Sequence, residues 1–100
     1  GSQAARAVTP ELIIEMVARQ YDTTAQDITG KNRSQQIALP RQVAMYICRR
    51  MTTLSTTSIG RAFGGRDHTT VLYAIQKVQE LAESDREVQG LLRTLREACT

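Results

Sequence analysis

The glycine pair at positions 64 and 65 constrains the fold of this chain more than any other feature. Two consecutive glycines give the backbone access to conformations that are closed to other residues, which predicts a tight turn. Asp67 follows with the short side-chain oxygen that an N-cap needs. Apolar residues then recur with a helical period at Val71, Leu72, Ile75, Val78 and Ala82. A short turn that directs the N-terminus of an amphipathic helix outward predicts a helix-turn-helix.

Capping residues predict two helices near the start of the chain. Thr9 and Pro10 open the first helix, which we expect to run to about Tyr21. Thr24 caps a short helix over residues 25–28, which ends at Gly30. The polar, basic stretch over residues 31–36 has no periodicity and is predicted to be a loop.

Three further helices complete the predicted fold around the helix that begins at Asp67. Pro40 is expected at the first position of the third helix, which runs to about residue 52. Ser55 caps a fourth helix that ends near Phe63, and Ser84 begins a capping box that opens the last helix. The predicted buried face of that last helix consists of Val88, Leu91, Leu92, Leu95 and Ala98. We therefore expect an all-α fold of about six helices around a helix-turn-helix.

The chain has 100 residues, which is enough for one domain with a modest core. We expect residues 1–7 to be a tag remnant or linker and residues 8–100 to form the helix-turn-helix domain. The six segments leave no apolar stripe unused, which predicts a monomer. No apolar run of membrane-spanning length and no signal peptide occur, so we expect a cytoplasmic protein without membrane binding. Cys48 and Cys99 resemble neither a disulfide framework nor a metal site.

Basic residues are concentrated in the middle of the chain. Residues 31–77 hold eight Lys or Arg and one acidic residue, a net charge of +7, whereas residues 1–30 and 78–100 each carry −2. A basic middle between acidic flanks is typical of a protein that binds a polyanion. A solvated surface is the usual explanation for one arginine, but not for a segment that coincides with a helix-turn-helix.

The first turn of the predicted recognition helix carries side chains that suit base recognition. His68 and Thr69 can donate or accept hydrogen bonds at base edges, and the threonine methyl can contact thymine. Asp67 has two equally good roles, as an acceptor from the cytosine amine or as the N-cap. His68 has no partner nucleophile or carboxylate pair, so the sequence predicts no catalytic site.

Two other segments supply candidate contacts to DNA. Arg33 lies in the loop over residues 31–36, which is either a solvent-exposed connection or an arm that inserts an arginine into a narrow minor groove. In the third helix Arg41, Met45 and Arg49 recur every four residues, with Gln42 beside them. We expect this face of the helix to clamp phosphates.

Residues 64–71, Gly-Gly-Arg-Asp-His-Thr-Thr-Val, followed by Ala74 and Lys77, resemble the signature of the C-terminal DNA-binding domain of the bacterial replication initiator DnaA family. Further positions that fall where that domain places them are Arg33-Ser34, Pro40-Arg41-Gln42, Met45 and Ile59-Gly60. The resemblance covers the chain from about Val8. It implies an all-helical domain that binds short asymmetric boxes in double-stranded DNA at replication origins, in the bacterial nucleoid.

The resemblance also implies individual roles. Arg33 enters the minor groove, while the residues that contact bases in the major groove are Thr57, Asp67, His68 and Thr69. Thr57 occupies part of an apolar-proline pair of the relatives and offers a methyl to thymine. Backbone phosphates are held by Arg41, Gln42, Arg49, Arg66, Thr70 and Lys77. The family's ATPase module has no counterpart in this sequence, so ATP is implied for the full-length protein alone, and no cofactor or metal for this domain.

Two alternatives remain at the level of the sequence. A repressor or transposase domain of helix-turn-helix type has the same local pattern, but a dimeric repressor binds a palindrome and needs a dimerisation surface. A helical protein-interaction module would use the amphipathic segment 88–98 as its binding helix. Such a stripe is more often part of a core.

Overall fold

The computed structural model describes residues 8–31 and 34–99, with the backbone alone at Cys99. Within these residues the chain forms six helices and no strand: α1 (Pro10–Gln20), α2 (Ala25–Thr29), α3 (Gln35–Met51), α4 (Thr56–Ala62), α5 (His68–Ser84) and α6 (Arg86–Cys99). The all-α prediction is confirmed. The expected tag remnant or linker lies outside the described residues, and so do Asn32 and Arg33 of the basic loop.

Three of the predicted capping residues start their helices as expected. Thr9, Thr24 and Ser55 each accept a hydrogen bond from the backbone N–H three residues later, at 3.2, 3.1 and 3.1 Å. Each bond satisfies one of the N–H groups that a helix leaves without an internal partner. The sequence therefore fixes the starts of α1, α2 and α4 locally.

Helix α3 corrects the prediction for Pro40. It begins at Gln35, five residues before the proline, and Pro40 lies inside it as a buried residue. Ser34 is the N-cap residue, and its carbonyl accepts from the N–H groups of Ile37 and Ala38, each at 3.1 Å. Pro40 has no N–H to donate within the helix, and the added turn before it buries Ile37. The basic loop is accordingly shorter than predicted and ends at Ser34.

The junction of α5 and α6 is shifted by one residue from the predicted capping box. Ser84 is the last residue of α5, and its hydroxyl donates to the Glu80 carbonyl at 3.4 Å. Asp85 caps α6 instead, because its carboxylate accepts from the N–H groups of Glu87 and Val88 at 2.9 and 3.4 Å. Asp85 also closes α5, since its own N–H donates to the Leu81 carbonyl at 2.8 Å.

Helix α3 is central to the core and packs against each of the other five helices. The helix-turn-helix, formed by α4 and α5, lies against it. The largest side chains that are fully enclosed are Phe63, Ile13, Ile28, Met45, Ile47 and Ile59. Since these residues come from four helices and the turn after α4, one aliphatic core holds the domain together.

The buried residues of two helices differ from those that the apolar periodicity predicts. Leu72 of α5 is 50% exposed, and Ala74 takes the inward position instead. In α6 the buried residues are Val88, Leu92 and Leu95, whereas Ala98 is exposed. None of the six helices in the described part of the chain has the length and apolar character that spanning a bilayer requires.

We predict that Phe63→Ala lowers the free energy of unfolding by about 3–5 kcal/mol, because it removes a ring that is fully enclosed by the core. Urea denaturation followed by circular dichroism measures this change. Tyr73→Ala is the matched control, since that ring is 61% exposed, and its effect is expected within about 0.5 kcal/mol. Equal losses from the two variants would contradict the placement of Phe63.

Candidate nucleic-acid interface

The turn between α4 and α5 is tied to a single carbonyl group. The Gly60 carbonyl accepts from the N–H groups of Phe63, Gly65 and Arg66, at 3.1, 3.1 and 2.8 Å. A Cβ atom at Gly60 would lie 2.1 Å from the Arg66 carbonyl oxygen, so only glycine permits this close approach. The turn is therefore held directly against α4, and the start of α5 is fixed with it.

The predicted glycine pair provides the backbone conformation of this turn. Gly64 and Gly65 have φ values of +84° and +80°, in the region that side chains disfavour. A Cβ atom at Gly64 would also lie 2.3 Å from the carbonyl oxygen of Thr29, at the end of α2. Gly65 has no such neighbour within 4 Å. Gly64 thus allows the turn to pack against α2, whereas Gly65 serves the turn alone.

Arg41 has a different environment from the exposed phosphate clamp that the sequence predicts. Its side chain is only 8% exposed. The Nε atom donates to the Ile28 carbonyl at 2.6 Å, and Nη2 donates to the carbonyls of Asp27 and Gly30 at 2.9 and 3.3 Å. Met45 is buried as well, so the predicted outward stripe on α3 is wrong for these two residues.

Arg66 reaches the same end of α2 from the turn. Its Nη2 donates to the Gly30 carbonyl at 2.6 Å, and its Nη1 donates to the carbonyls of Thr29, at 3.3 Å, and Phe63. Cationic donors are favourable at the C-terminus of a helix, where the carbonyls lack partners. Burial and the nearby charge of Arg66 lower the pKa of Arg41. The two arginines thus hold the end of α2 despite their mutual repulsion.

The first turn of α5 presents three predicted base-contacting residues to solvent. Asp67 occupies the N-cap position as predicted, but its carboxylate makes no capping hydrogen bond. It accepts instead from the Thr69 hydroxyl at 2.9 Å and lies 3.0 Å from Nδ1 of His68. The hydrogen bond from the Thr69 hydroxyl is the main cause that lowers the pKa of Asp67, and the nearby His68 also contributes. The three side chains form one exposed polar cluster.

A groove of about 650 Å³ runs beside this cluster, between the end of α2 and α5. Its lining residues are Thr29, Gly30, Lys31, Arg41, Gly64, Arg66 and Thr70. A narrower cleft of about 120 Å³ shares Arg41, Arg66 and Thr70 with it and adds Gln42 of α3. Four of the six predicted phosphate-contacting residues therefore meet along one basic depression. Such a depression suits an anionic backbone that runs past α5.

Tyr73 was not singled out from the sequence. Its ring is 61% exposed and lines the narrow cleft, and Nζ of Lys77 lies 6.0 Å from the ring centroid. At this distance the ring quadrupole attracts the ammonium group. The four-residue spacing of Tyr73 and Lys77 indicates this contact in the sequence, because it places two side chains next to each other on a helix.

Two further predicted contacts, Arg49 and Thr57, are not among the residues that line the groove. Arg49 is exposed on α3, and its Nη1 donates to the Leu54 carbonyl at 3.1 Å. Thr57 is exposed on the first turn of α4. Arg33 lies outside the described residues. Among the described residues no group of three or more His, Cys, Asp or Glu side chains is arranged to hold a metal ion.

The turn, the exposed start of α5 and the basic groove define a helix-turn-helix domain of the nucleic-acid-binding class. The model of the bacterial dnaA protein helix-turn-helix family matches residues 10–78. The chain belongs to this family, which confirms the resemblance seen in residues 64–71. It is therefore a DNA-binding, non-catalytic domain that carries the helix-turn-helix of this family.

Individual relatives agree with this assignment. The chromosomal replication initiator protein DnaA of Thermus thermophilus is 64% identical over 91 residues, which are 91% of this chain and 21% of that protein. The DnaA protein of Limosilactobacillus fermentum is 47% identical over 89 residues, 89% of this chain and 20% of the relative. The chain thus spans about a fifth of the length of these curated relatives.

A solved structure shares the fold. The crystal structure of a DNA replication initiation factor superposes with a TM-score of 0.80 at 33% sequence identity, over 90% of this chain and 27% of that one. The arrangement of the helices is therefore similar to that in the matched part of this structure.

We predict that Gly64→Ala destabilises the protein more than Gly65→Ala. Each substitution places a side chain at positive φ, which costs about 1–2 kcal/mol. Gly64→Ala also drives a methyl group against the Thr29 carbonyl, whereas the methyl of Gly65→Ala meets open space. Thermal unfolding of the two variants measures the difference. Equal melting temperatures would argue against the contact between the turn and α2.

Proposed function

We propose that this domain binds short asymmetric boxes in double-stranded DNA at a replication origin, one monomer to each box. The observation that carries the proposal is the polar cluster of Asp67, His68 and Thr69 at the exposed start of α5, beside a basic groove. A helix that presents its first turn outward in this way inserts it into the major groove. Membership of the replication-initiator family supports the origin as the target.

Base reading is proposed for the first turn of α5. His68 and Thr69 offer donors and acceptors for base edges, and Asp67 accepts from the cytosine amine. Thr57 offers its methyl to thymine from the start of α4. Arg33, in the loop beyond the described residues, is proposed to enter the minor groove at an A·T tract. Together these contacts read an asymmetric sequence without a second copy of the chain.

Phosphate contacts are proposed for residues around the first turn of α5. Thr70 and Gln42 line the depression beside α5 together with Lys31. The half-buried Arg66 contributes charge to the depression while its guanidinium hydrogen bonds hold the end of α2, so no direct phosphate contact is proposed for it. Lys77 and Arg49 are exposed farther out. Arg41 contributes charge to the groove while its guanidinium hydrogen bonds serve α2. ATP binding by the longer protein is a separate proposal that this domain does not support by itself.

We predict that single substitutions separate base recognition from phosphate binding. Thr69→Ala should weaken binding to the selected box by about 1–3 kcal/mol and affect random DNA much less, because a base contact is lost. Lys77→Ala should weaken binding to the two DNAs alike and make the salt dependence shallower by about one unit. Fluorescence anisotropy at one fixed salt concentration gives the four affinities, on a box obtained by selection from a random duplex library.

Circular dichroism provides the folding control for both variants. The two substitutions are well matched, since Thr69 and Lys77 are exposed residues of the same helix. Loss of specific and nonspecific binding in the same proportion by both variants would refute this division of labour.

We also predict a steep salt dependence of binding. Eight basic residues lie between positions 31 and 77. If about five of them meet phosphates, log K falls against log salt concentration with a slope of roughly −4 to −5, because condensed counterions are released. Titrations between low and moderate salt measure the slope, and light scattering of the complex gives its stoichiometry. A flat salt response or a stable free dimer would count against the proposal.

A further inference from the structure

Arg66 links the turn before α5 to the end of α2 across 36 residues of sequence. Three carbonyls accept from its guanidinium, two at Thr29 and Gly30 and one at Phe63 in its own turn. Arg66 directly precedes Asp67, the N-cap residue of α5. The bonds to Thr29 and Gly30 therefore oppose movement of the turn, and of the start of α5, away from α2.

The end of α2 is itself anchored to the core by Arg41. This arginine belongs to the central helix α3, is buried, and donates to the carbonyls of Asp27, Ile28 and Gly30. The Gly30 carbonyl is thus shared between the two guanidinium groups. A chain of hydrogen bonds runs from α3 through α2 to the residue that precedes α5.

We infer that Arg66 is a positioning residue for DNA recognition, which fixes the first turn of α5 relative to the end of α2 and to Lys31, the residue that follows Gly30. This inference rests on the proposed function, and it differs from the direct phosphate contact that the sequence predicts for Arg66. Lys31 follows Gly30, and Asp67 follows Arg66, so the two candidate DNA-binding segments diverge from one hydrogen-bonded junction. Hydrogen bonds from the first turn of α5 to base edges need such a fixed position, because displacements of about 1 Å weaken hydrogen bonds or break them.

Arg66→Lys tests the inference, because it keeps the positive charge but replaces a planar fork by a single ammonium group that cannot bridge the same carbonyls. We expect affinity for the selected box to fall about tenfold, the equivalent of roughly one base contact. Affinity for a random duplex and the slope of the salt dependence should stay at their wild-type values. A purely structural role would lower the melting temperature without changing the ratio of the two affinities.

Arg19→Lys is the matched control, since it makes the same chemical change at an exposed position of α1. Its two affinities should equal those of the wild-type protein. Gly64→Ala provides a second route to the same junction without changing the Arg66 residue, because its methyl group would lie 2.3 Å from the Thr29 carbonyl oxygen and 3.4 Å from Nη1 of Arg66. We expect the same loss of discrimination, larger than for Gly65→Ala. If circular dichroism shows that Arg66→Lys is unfolded even at about 10 °C, the comparison of Gly64→Ala with Gly65→Ala tests the positioning role instead.

The outcomes separate the inference from the proposed function. Preserved discrimination in Arg66→Lys and Gly64→Ala would overturn the positioning role. Equal losses on the selected and random duplexes would also overturn it, because they indicate a direct phosphate contact. A wild-type protein that selects no sequence from the library would instead overturn the proposed function itself.

Discussion

The four consecutive carbonyl groups from Asp27 to Gly30 all accept hydrogen bonds from Arg41 or Arg66, and the arrangement of the interface depends on this interaction. A helix of five residues is not stable alone, and its last carbonyls have no partners within it. Charged donors make hydrogen bonds about twice as strong as neutral ones. Gly64 lets the turn approach closely enough for Arg66 to reach. The basic groove exists because these elements are held together.

Much of the fold could be predicted, because its signals are local. A threonine before a helix or two glycines in a turn act on the nearest few residues, so Thr9 and Gly64 were interpreted correctly. Pro40 was misplaced because proline at the first helical position is only the commoner case. The buried Ile37, one turn earlier, already belonged to the same helix. Ser84 and Asp85 are equally capable caps, but the Ser84 hydroxyl donates back to Glu80 of α5 and the Asp85 carboxylate caps α6.

In the candidate site, too, the features set by local sequence signals could be predicted, and those set by tertiary packing could not. The exposed cluster from Asp67 to Thr69 follows from the turn and was predictable. Burial of Arg41 was not, because helical periodicity places a side chain on a face but says nothing about a partner 13 residues earlier in the chain. The cleft between Gln42 and Tyr73 likewise requires the packing of α3 on α5, a contact that no local pattern contains.

The carboxylate of Asp67 has a consequence for how errors are rejected. In the free protein it already accepts from the Thr69 hydroxyl and lies beside Nδ1 of His68, and the whole cluster is open to water. Where a mismatched base offers no acceptor, the Thr69 hydroxyl keeps the Asp67 carboxylate as its hydrogen-bond acceptor. In the proposed complex this weakens rejection by unsatisfied polar groups, which gives the largest discrimination in buried sites. In the proposed complex, selectivity comes from the contacts that the correct bases add. The sum of these contacts over the whole box replaces strict discrimination at any single position.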